Sequence, residues 1–238
     1  MKIIDLSQEI FNGQPVYVGH PTTEVCRVKE IKALEGGRWT FAVNRILMSE
    51  HAGTHTDAFL HCDPAPGAKG IDEIEIDRFI GPGICLDLSG VPESEFITVK
   101  DLEEACIRSG LSIGKGSTVL IYTGTYQRHF PKPSYNEINA GLSREAVEWL
   151  ADRGCKNIGI DAVSIYVSPH KGEEWKAAHT ACLERGILNT ENLGDLRPVA
   201  GKSFLYIGLP IKIQGGTAGP VRAVAVLDAP FDQKQEIW

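Results

Sequence analysis

The chain has no run of 18 apolar residues, no Cys-x-x-Cys pair, no surplus of basic charge and no internal repeat or low-complexity stretch. Each absence excludes something. Without a long apolar run no membrane span is expected. With 24 Lys and Arg against 31 Asp and Glu, the net charge of −7 argues against nucleic acid, whose phosphates need a basic face. The six cysteines, at 26, 62, 85, 106, 155 and 182, are scattered, so they read as free thiols of a reducing compartment rather than as a disulfide frame or a structural zinc site. Met1-Lys2-Ile3-Ile4-Asp5 reaches a carboxylate too early for a signal peptide, and a cytoplasmic location is expected.

What is present suits one globular domain over residues 1–238, with 42% hydrophobic residues. Three short apolar runs, residues 83–88, 118–123 and 156–161, read as strands buried on at least one face. Residues 204–210 and 221–227 read as late strands, the first as an edge or site-lining strand because it ends at Pro210. Thr98, with Asp101 three places on and Gly110 beyond, brackets one helix. Ser143, with Glu145 in the first turn and Gly154 at the end, brackets another. Strands alternating with helices point to an α/β domain whose mixed sheet is covered by helices. Residues 11–50 are strand-like but poorly punctuated.

The chemistry concentrates in His51-Ala52-Gly53-Thr54-His55-Thr56-Asp57, followed by His61. Imidazole and carboxylate together are the ligands of a borderline divalent ion such as zinc or manganese. No H-E-x-x-H glutamate sits between the histidines, and Gly53 with its β-branched neighbours argues against a helix. In an extended segment His55 and Asp57 point to the same side, and His51 folds over from a turn at Gly53. Three ligands leave a position open for water, as in catalytic rather than structural sites. Cys62 follows His61 directly and so falls near the same place, but the neighbouring imidazole is the more obvious chemical group.

H-x-G-T-H-x-D-x-x-x-H resembles the signature of the cyclase-like metal-dependent hydrolases, the family that includes bacterial kynurenine formamidase and isatin hydrolase. The likeness continues in Asp5-Leu6-Ser7, Asn12-Gly13-Gln14-Pro15-Val16-Tyr17, Ala140-Gly141-Leu142-Ser143-Arg144-Glu145-Ala146, Gly159-Ile160-Asp161-Ala162-Val163-Ser164, Thr190-Glu191-Asn192-Leu193 and Pro220-Val221-Arg222-Ala223. The resemblance implies a swivelling β/β/α domain assembled as a homodimer or homotetramer. It implies that His51, His55 and Asp57 hold one metal ion and that Asp57, His179 and Glu191 hold a second, with Zn2+ the expected ion and Mn2+ the alternative. It leaves His61 as the free imidazole that carries protons. Taken without it, His179 reads equally as a helix-surface histidine and Glu191 as a solvated carboxylate. His20, His129 and His170 match no motif role and read as loop or surface residues.

The expected reaction is hydrolysis of a small C–N amide bond, such as an aryl formamide or a lactam, on a small-molecule substrate. A divalent ion lowers the pKa of bound water toward about 7. His61 then takes a proton from that water and passes it to the leaving nitrogen. Tyr17, Trp39, Phe59 and Trp175 are candidates for the walls of a pocket for a flat ring, although each reads equally well as core. Two positions depart from the family pattern: Gly19-His20-Pro21 stands where many relatives carry Gly-Asp-Pro, and Tyr166 stands where an aspartate often ends the strand after Ser164. Residues 167–175 match no relative. These departures put the kynurenine substrate itself in question. The same residues also permit lactone opening or ring closure by a metal-dependent cyclase, and a third reading is a non-catalytic metal or small-ligand binder.

Overall fold

A computed structural model describes residues 1–63, 65–169 and 176–228. The early strands are β1 (Lys2–Asp5), β2 (Glu24–Lys29), β3 (Val43–Leu47), β4 (His55–Asp57), β5 (Ile80–Asp87) and β6 (Phe96–Ile97). They are followed by β7 (Ser117–Tyr122), β8 (Gly141–Leu142), β9 (Cys155–Ile160), β10 (Leu188–Glu191), β11 (Ser203–Ile207), β12 (Ala218–Pro220) and β13 (Val224–Leu227). The helices are α1 (Val99–Ser109), α2 (Thr125–His129), α3 (Arg144–Asp152) and α4 (Ala177–Glu184).

Nine strands form one mixed sheet in the order β1-β13-β11-β5-β7-β9-β10-β4-β12. Its middle, from β5 through β7 and β9 to β10, is parallel, and the remaining pairings are antiparallel. The parallel strands need crossovers, which α1 and α3 supply after β5 and β7. This is the α/β architecture with a mixed sheet that the sequence predicts.

Period-two alternation sorts the side chains of the central strands between two cores. Ile84, Leu86, Val119, Ile121, Ile158 and Ile160 face one way and pack with Leu102, Ala146, Val147, Leu150 and Ala181 of α1, α3 and α4. Cys85 and Leu120 face the other way, into a cluster with Leu6, Leu193, Leu196, Phe204 and Tyr206. The helices therefore cover one face, and the second face closes on the sheet's own outer strands and the 193–199 segment.

Both bracketed helices form between their expected signals. The Thr98 backbone N–H donates to Asp101 Oδ2 at 2.8 Å while the Thr98 hydroxyl accepts from the Asp101 N–H, a reciprocal cap, and Gly110 closes the helix at φ 65°. Ser143 Oγ accepts from the Ala146 N–H at 3.2 Å. Two strand readings change. The run ending at Pro210 is not an edge strand, because β11 lies between β13 and β5. The last strand starts at Val224 rather than at 221, since Val221 spends its backbone on an isolated bridge to Pro210. The poorly punctuated 11–50 region contains β2 and β3, which among the described residues pair only with each other.

Candidate metal centre and its pocket

β4 is short, but its neighbours on both sides fix its contents. Antiparallel pairing with β10 sets Glu191 opposite His55 and Asn189 opposite Asp57. Pairing with β12 sets Pro220 opposite His55 and Ala218 opposite Asp57. Because alternate residues share a face, His55, Asp57, Asn189 and Glu191 all present their side chains on one side of the sheet. His51 arrives from the preceding turn, as expected. Gly53 takes φ +66° there, and a Cβ at that position would meet Ile10 Cδ1 at 2.5 Å. His179 comes from α4, which packs beside this face.

The reactive atoms converge. His51 Nδ1 is 3.0 Å and His55 Nε2 is 3.3 Å from Asp57 Oδ1. His55 Nε2 is 3.8 Å from Glu191 Oε2, and His179 Nε2 is 3.2 Å from Glu191 Oε1 and 3.6 Å from Asp57 Oδ2. Two groupings are tight enough for a shared ion, His55–Asp57–Glu191 and His51–Asp57–His61. His61 thus stands close to the ligand cluster, its ring centroid 4.3 Å from that of His51.

Hydrogen bonds set which nitrogen is free in the rings of His51 and His55. The Thr217 hydroxyl donates to Glu50, so its oxygen accepts from His51 Nε2–H at 2.9 Å, and Nδ1 is left to turn a lone pair toward Asp57. His55 Nδ1–H donates to the Gly53 carbonyl at 2.9 Å, which leaves Nε2 aimed at the two carboxylates. The carboxylates are held too: Asn189 Nδ2 donates to Asp57 Oδ2 at 2.8 Å, and Ser164 Oγ and the Ile165 N–H donate to Glu191 Oε1 at 2.8 and 2.9 Å.

The site concentrates negative charge. Asp57 and Glu191 are buried side by side, at 6% exposure each, and no ion pair to Lys or Arg is formed by either among the described residues. Burial alone would raise the pKa of Asp57, but the imidazoles of His179, His51 and His55 around it hold it well below its ordinary value. Burial likewise opposes the charge on His179, yet Asp57 and Glu191 lift its pKa to about 10, and they raise that of His55 as well. Protons on imidazoles thus stand in for positive charge. His55 Nε2 and Asp57 Oδ1 are nonetheless buried without a hydrogen-bond partner. A divalent ion among these N and O donors would satisfy both orphans and replace the protons, so the donor set fits the expected group.

The site opens into a cavity of about 370 Å³, lined by Tyr17, His20, His51, His55, His61, Cys62, Ser164, Tyr166, His179, Glu191 and Asn192 among others. Matches to the cyclase family model run over residues 4–166. The chain belongs to this family. Kynurenine formamidase of Erythrobacter litoralis is 33% identical over 225 residues, which cover 94% of this chain and 93% of that one. A solved isatin hydrolase bound to the product analogue thioisatinate superposes with a TM-score of 0.83 at 22% identity, over 94% and 91% of the two chains, a likeness of fold. A solved potential metal-dependent hydrolase with cyclase activity gives a TM-score of 0.72 at 26% identity, over 94% and 96%. The cyclase-family chain described here is accordingly a hydrolytic enzyme.

Not every residue singled out in the sequence is near the pocket. Tyr17 lines it, but Trp39 is 69% exposed near the β2–β3 hairpin, and Phe59 packs against Ala58, Ile71, Ile74 and Phe79. Trp175 and His170 lie outside the described residues. His129 pairs with Glu93 at 2.8 Å, away from the pocket. His20 lies in a loop, as read, but that loop borders the pocket: its ring is 5.5 Å from that of His51 and its Nδ1 is buried without a partner. The departure at Gly19-His20-Pro21 was the available signal. Glu50, Thr217 and Asn189 were missed, and nothing in their local sequence marks them. Cys62 lines the cavity, but burial, with Asp57 and Glu191 nearby, pushes its thiol up to about 11, so it stays protonated near neutrality. Among the described residues no helix is long and apolar enough to cross a membrane.

Proposed function

We propose that this enzyme hydrolyses a small C–N amide bond, in an aryl formamide or a lactam, with one or two divalent ions held on the β4–β10 face. In this reading His51, His55 and Asp57 hold the first ion. Asp57, His179 and Glu191 would hold the second. The observation that carries the reading is the pair of buried carboxylates facing nitrogens of His51 and His55 whose other ring nitrogens are already committed as donors. The names of its relatives, kynurenine formamidase and isatin hydrolase, support the bond type. An ion of zinc or manganese type, when bound, supplies a Lewis acid that activates water and polarises a carbonyl.

The rest falls to the chain's own groups. His61 is the proton carrier. Burial, reinforced by the nearby imidazoles His51 and His179, keeps its pKa below the ordinary value, so near neutral pH it is an unprotonated base. It takes a proton from water and returns it to the leaving nitrogen, a poor leaving group until protonated. Tyr17 and Tyr166, with ring centroids 6.4 Å apart, form an aromatic wall suited to a planar ring. The protonated Cys62 thiol offers no competing thiolate nucleophile.

A homodimer or homotetramer belongs to the same reading. β2 and β3 form a two-stranded ribbon with Val28, Ile46 and Leu47 more than half exposed. An isolated ribbon of this kind is marginal in water, and such an apolar surface suits a second copy of the chain.

The test is a panel of N-formylkynurenine, isatin and simple lactones, assayed on protein whose metal content has been measured by elemental analysis. Amide turnover that vanishes with a chelator and returns with zinc or manganese supports the proposal. Turnover of lactones alone moves the assignment to the lactonase or cyclase reading. No turnover of any compound by metal-loaded protein moves it to a binding protein.

A further inference from the structure

Asn192 directly follows Glu191, lines the cavity and is 6% exposed. It holds φ +57°, a left-handed conformation that asparagine tolerates better than most residues but that still needs its surroundings to enforce it. Those surroundings account for all of its polar groups except one. Its N–H donates to the Ala162 carbonyl at 2.9 Å, and its carbonyl accepts from the Thr54 hydroxyl at 2.5 Å. Its side-chain Oδ1 accepts from the Tyr135 hydroxyl at 3.0 Å.

The direction of that last bond is fixed by a further residue. Gln8 Nε2 donates to the Tyr135 oxygen at 2.7 Å, so the single Tyr135 proton is free to go to Asn192. Tyr135 is fully buried and Gln8 nearly so, which makes this a dry chain of donors, Gln8 to Tyr135 to Asn192. The Asn192 amide is therefore oriented with its oxygen toward Tyr135 and its Nδ2 elsewhere. Among the described residues Nδ2 makes no hydrogen bond, and it is not sealed within the protein as the orphaned donors are. Asn192 lines the cavity, and that is the open space available to Nδ2.

We propose that Asn192 Nδ2 binds an oxygen acceptor of the substrate, a carbonyl, and that Tyr135 is the residue that positions it. This rests on the amide-hydrolase reading for the identity of the substrate but not for the polarity of the contact. A donor whose own acceptor is already occupied selects compounds that present a carbonyl oxygen at that point and disfavours those that present an N–H or O–H. Once a bound substrate has displaced water from it, leaving such a donor unmatched is costly, which is how a single polar group discriminates.

The experiment compares wild type with Asn192→Ala, Asn192→Asp and Tyr135→Phe, each checked for folding and metal content. Readouts are kcat and KM on formanilide and isatin, together with isatin affinity by calorimetry in a His61→Gln background that slows turnover. The expected result is a loss of about tenfold or more in KM and in isatin affinity for Asn192→Ala, with metal content intact. Asn192→Asp falls further, because an acceptor then meets an acceptor. Tyr135→Phe falls part of the way, because the amide is free to turn over. Unchanged KM and affinity in metal-loaded Asn192→Ala overturns the proposal, as does a loss that only tracks lost metal. If wild type binds isatin but hydrolyses neither compound, and Asn192→Ala weakens that binding, the contact stands and the amidase reading fails. If wild type neither binds nor hydrolyses them, both fail.

Discussion

Glu191 lies directly across from His55 in the antiparallel register of β10 and β4, and their facing side-chain atoms are 3.8 Å apart. That pairing joins residues distant in sequence into one electrostatic unit. A one-residue slip would turn Glu191 to the opposite face and dismantle the cluster. The two carboxylates lift the pKa of His179 to about 10 and that of His55 above its ordinary value. Metal must displace the protons those imidazoles carry. We therefore expect zinc or manganese binding to release at least one proton near pH 7, and affinity to climb as pH rises toward about 10, because proton competition fades in that direction. Calorimetry in buffers of different ionisation enthalpy reads the proton count directly. A count of zero would mean that the imidazoles are already neutral.

The Glu50–Thr217–His51 relay sets a lone pair without touching the ion position. Thr217→Val keeps the side-chain shape but removes the acceptor for His51 Nε2–H, so His51 can adopt the wrong tautomer or rotate. Loss of such an outer partner is expected to weaken metal affinity about 10–100-fold. Titration against a metal-buffering chelator measures this, with the folded state checked by circular dichroism. An affinity unchanged within twofold would show that the relay is incidental.

His61 presents a choice between carrier and ligand, since its ring sits beside that of His51. A carrier is expected to leave metal content intact when replaced. His61→Ala should keep its metal and lose roughly 10²–10⁴-fold in kcat. If elemental analysis instead finds the ion gone, His61 belongs to the coordination sphere and the proton route lies elsewhere.

The parts of this site legible in sequence are those whose geometry is local. His55 and Asp57 are two apart on one strand, and His51 reaches them across a single glycine turn, so spacing alone placed them together. His179 and Glu191 were legible only through the family resemblance, because β-pairing and helix packing, not spacing, bring them in. Asn189, Thr217 and Glu50 were silent for the same reason: the bond from Asn189 to Asp57 spans 132 positions and that from His51 to Thr217 spans 166. The central strands and capped helices declared themselves because burial enforces their periodicity and the caps use specific side chains. The β2–β3 ribbon did not, since its apolar residues are exposed and leave no alternation to read.

Asp161 sits at the end of β9, fully buried, and accepts from the Thr123 N–H and hydroxyl at 2.7 Å each and from the Gly124 N–H at 2.8 Å. Burial outweighs these bonds and lifts its pKa from 3.8 to about 6. A carboxyl with a raised folded-state pKa holds its proton more tightly when folded. Its contribution is therefore most favourable at low pH and is lost as pH rises from about 4 to about 6, by about 3 kcal/mol in all. Asp161→Asn removes the titration. Urea denaturation at pH 4, 5, 6 and 7 is expected to show wild type losing stability relative to Asp161→Asn across that window. A difference that does not vary with pH would show that the carboxyl stays ionised throughout.

The ribbon of β2 and β3 bears on assembly. Trp39 and Phe41 lie in the segment joining its two strands, 69% and 65% exposed, and Ile46 on β3 is 57% exposed. Lys29 Nζ stands 3.6 Å above the Phe41 ring, which covers only part of that surface. An apolar ribbon that no other strand pairs with among the described residues gains most by packing against a second copy, and charges placed on it would have to be desolvated there. Trp39→Asp combined with Ile46→Asp should therefore shift the assembly toward monomer in sedimentation velocity, while the far-UV spectrum and metal content stay close to wild type. A wild type that already sediments as a monomer, or a double variant that stays as oligomeric as the wild type, would show that this ribbon does not join subunits.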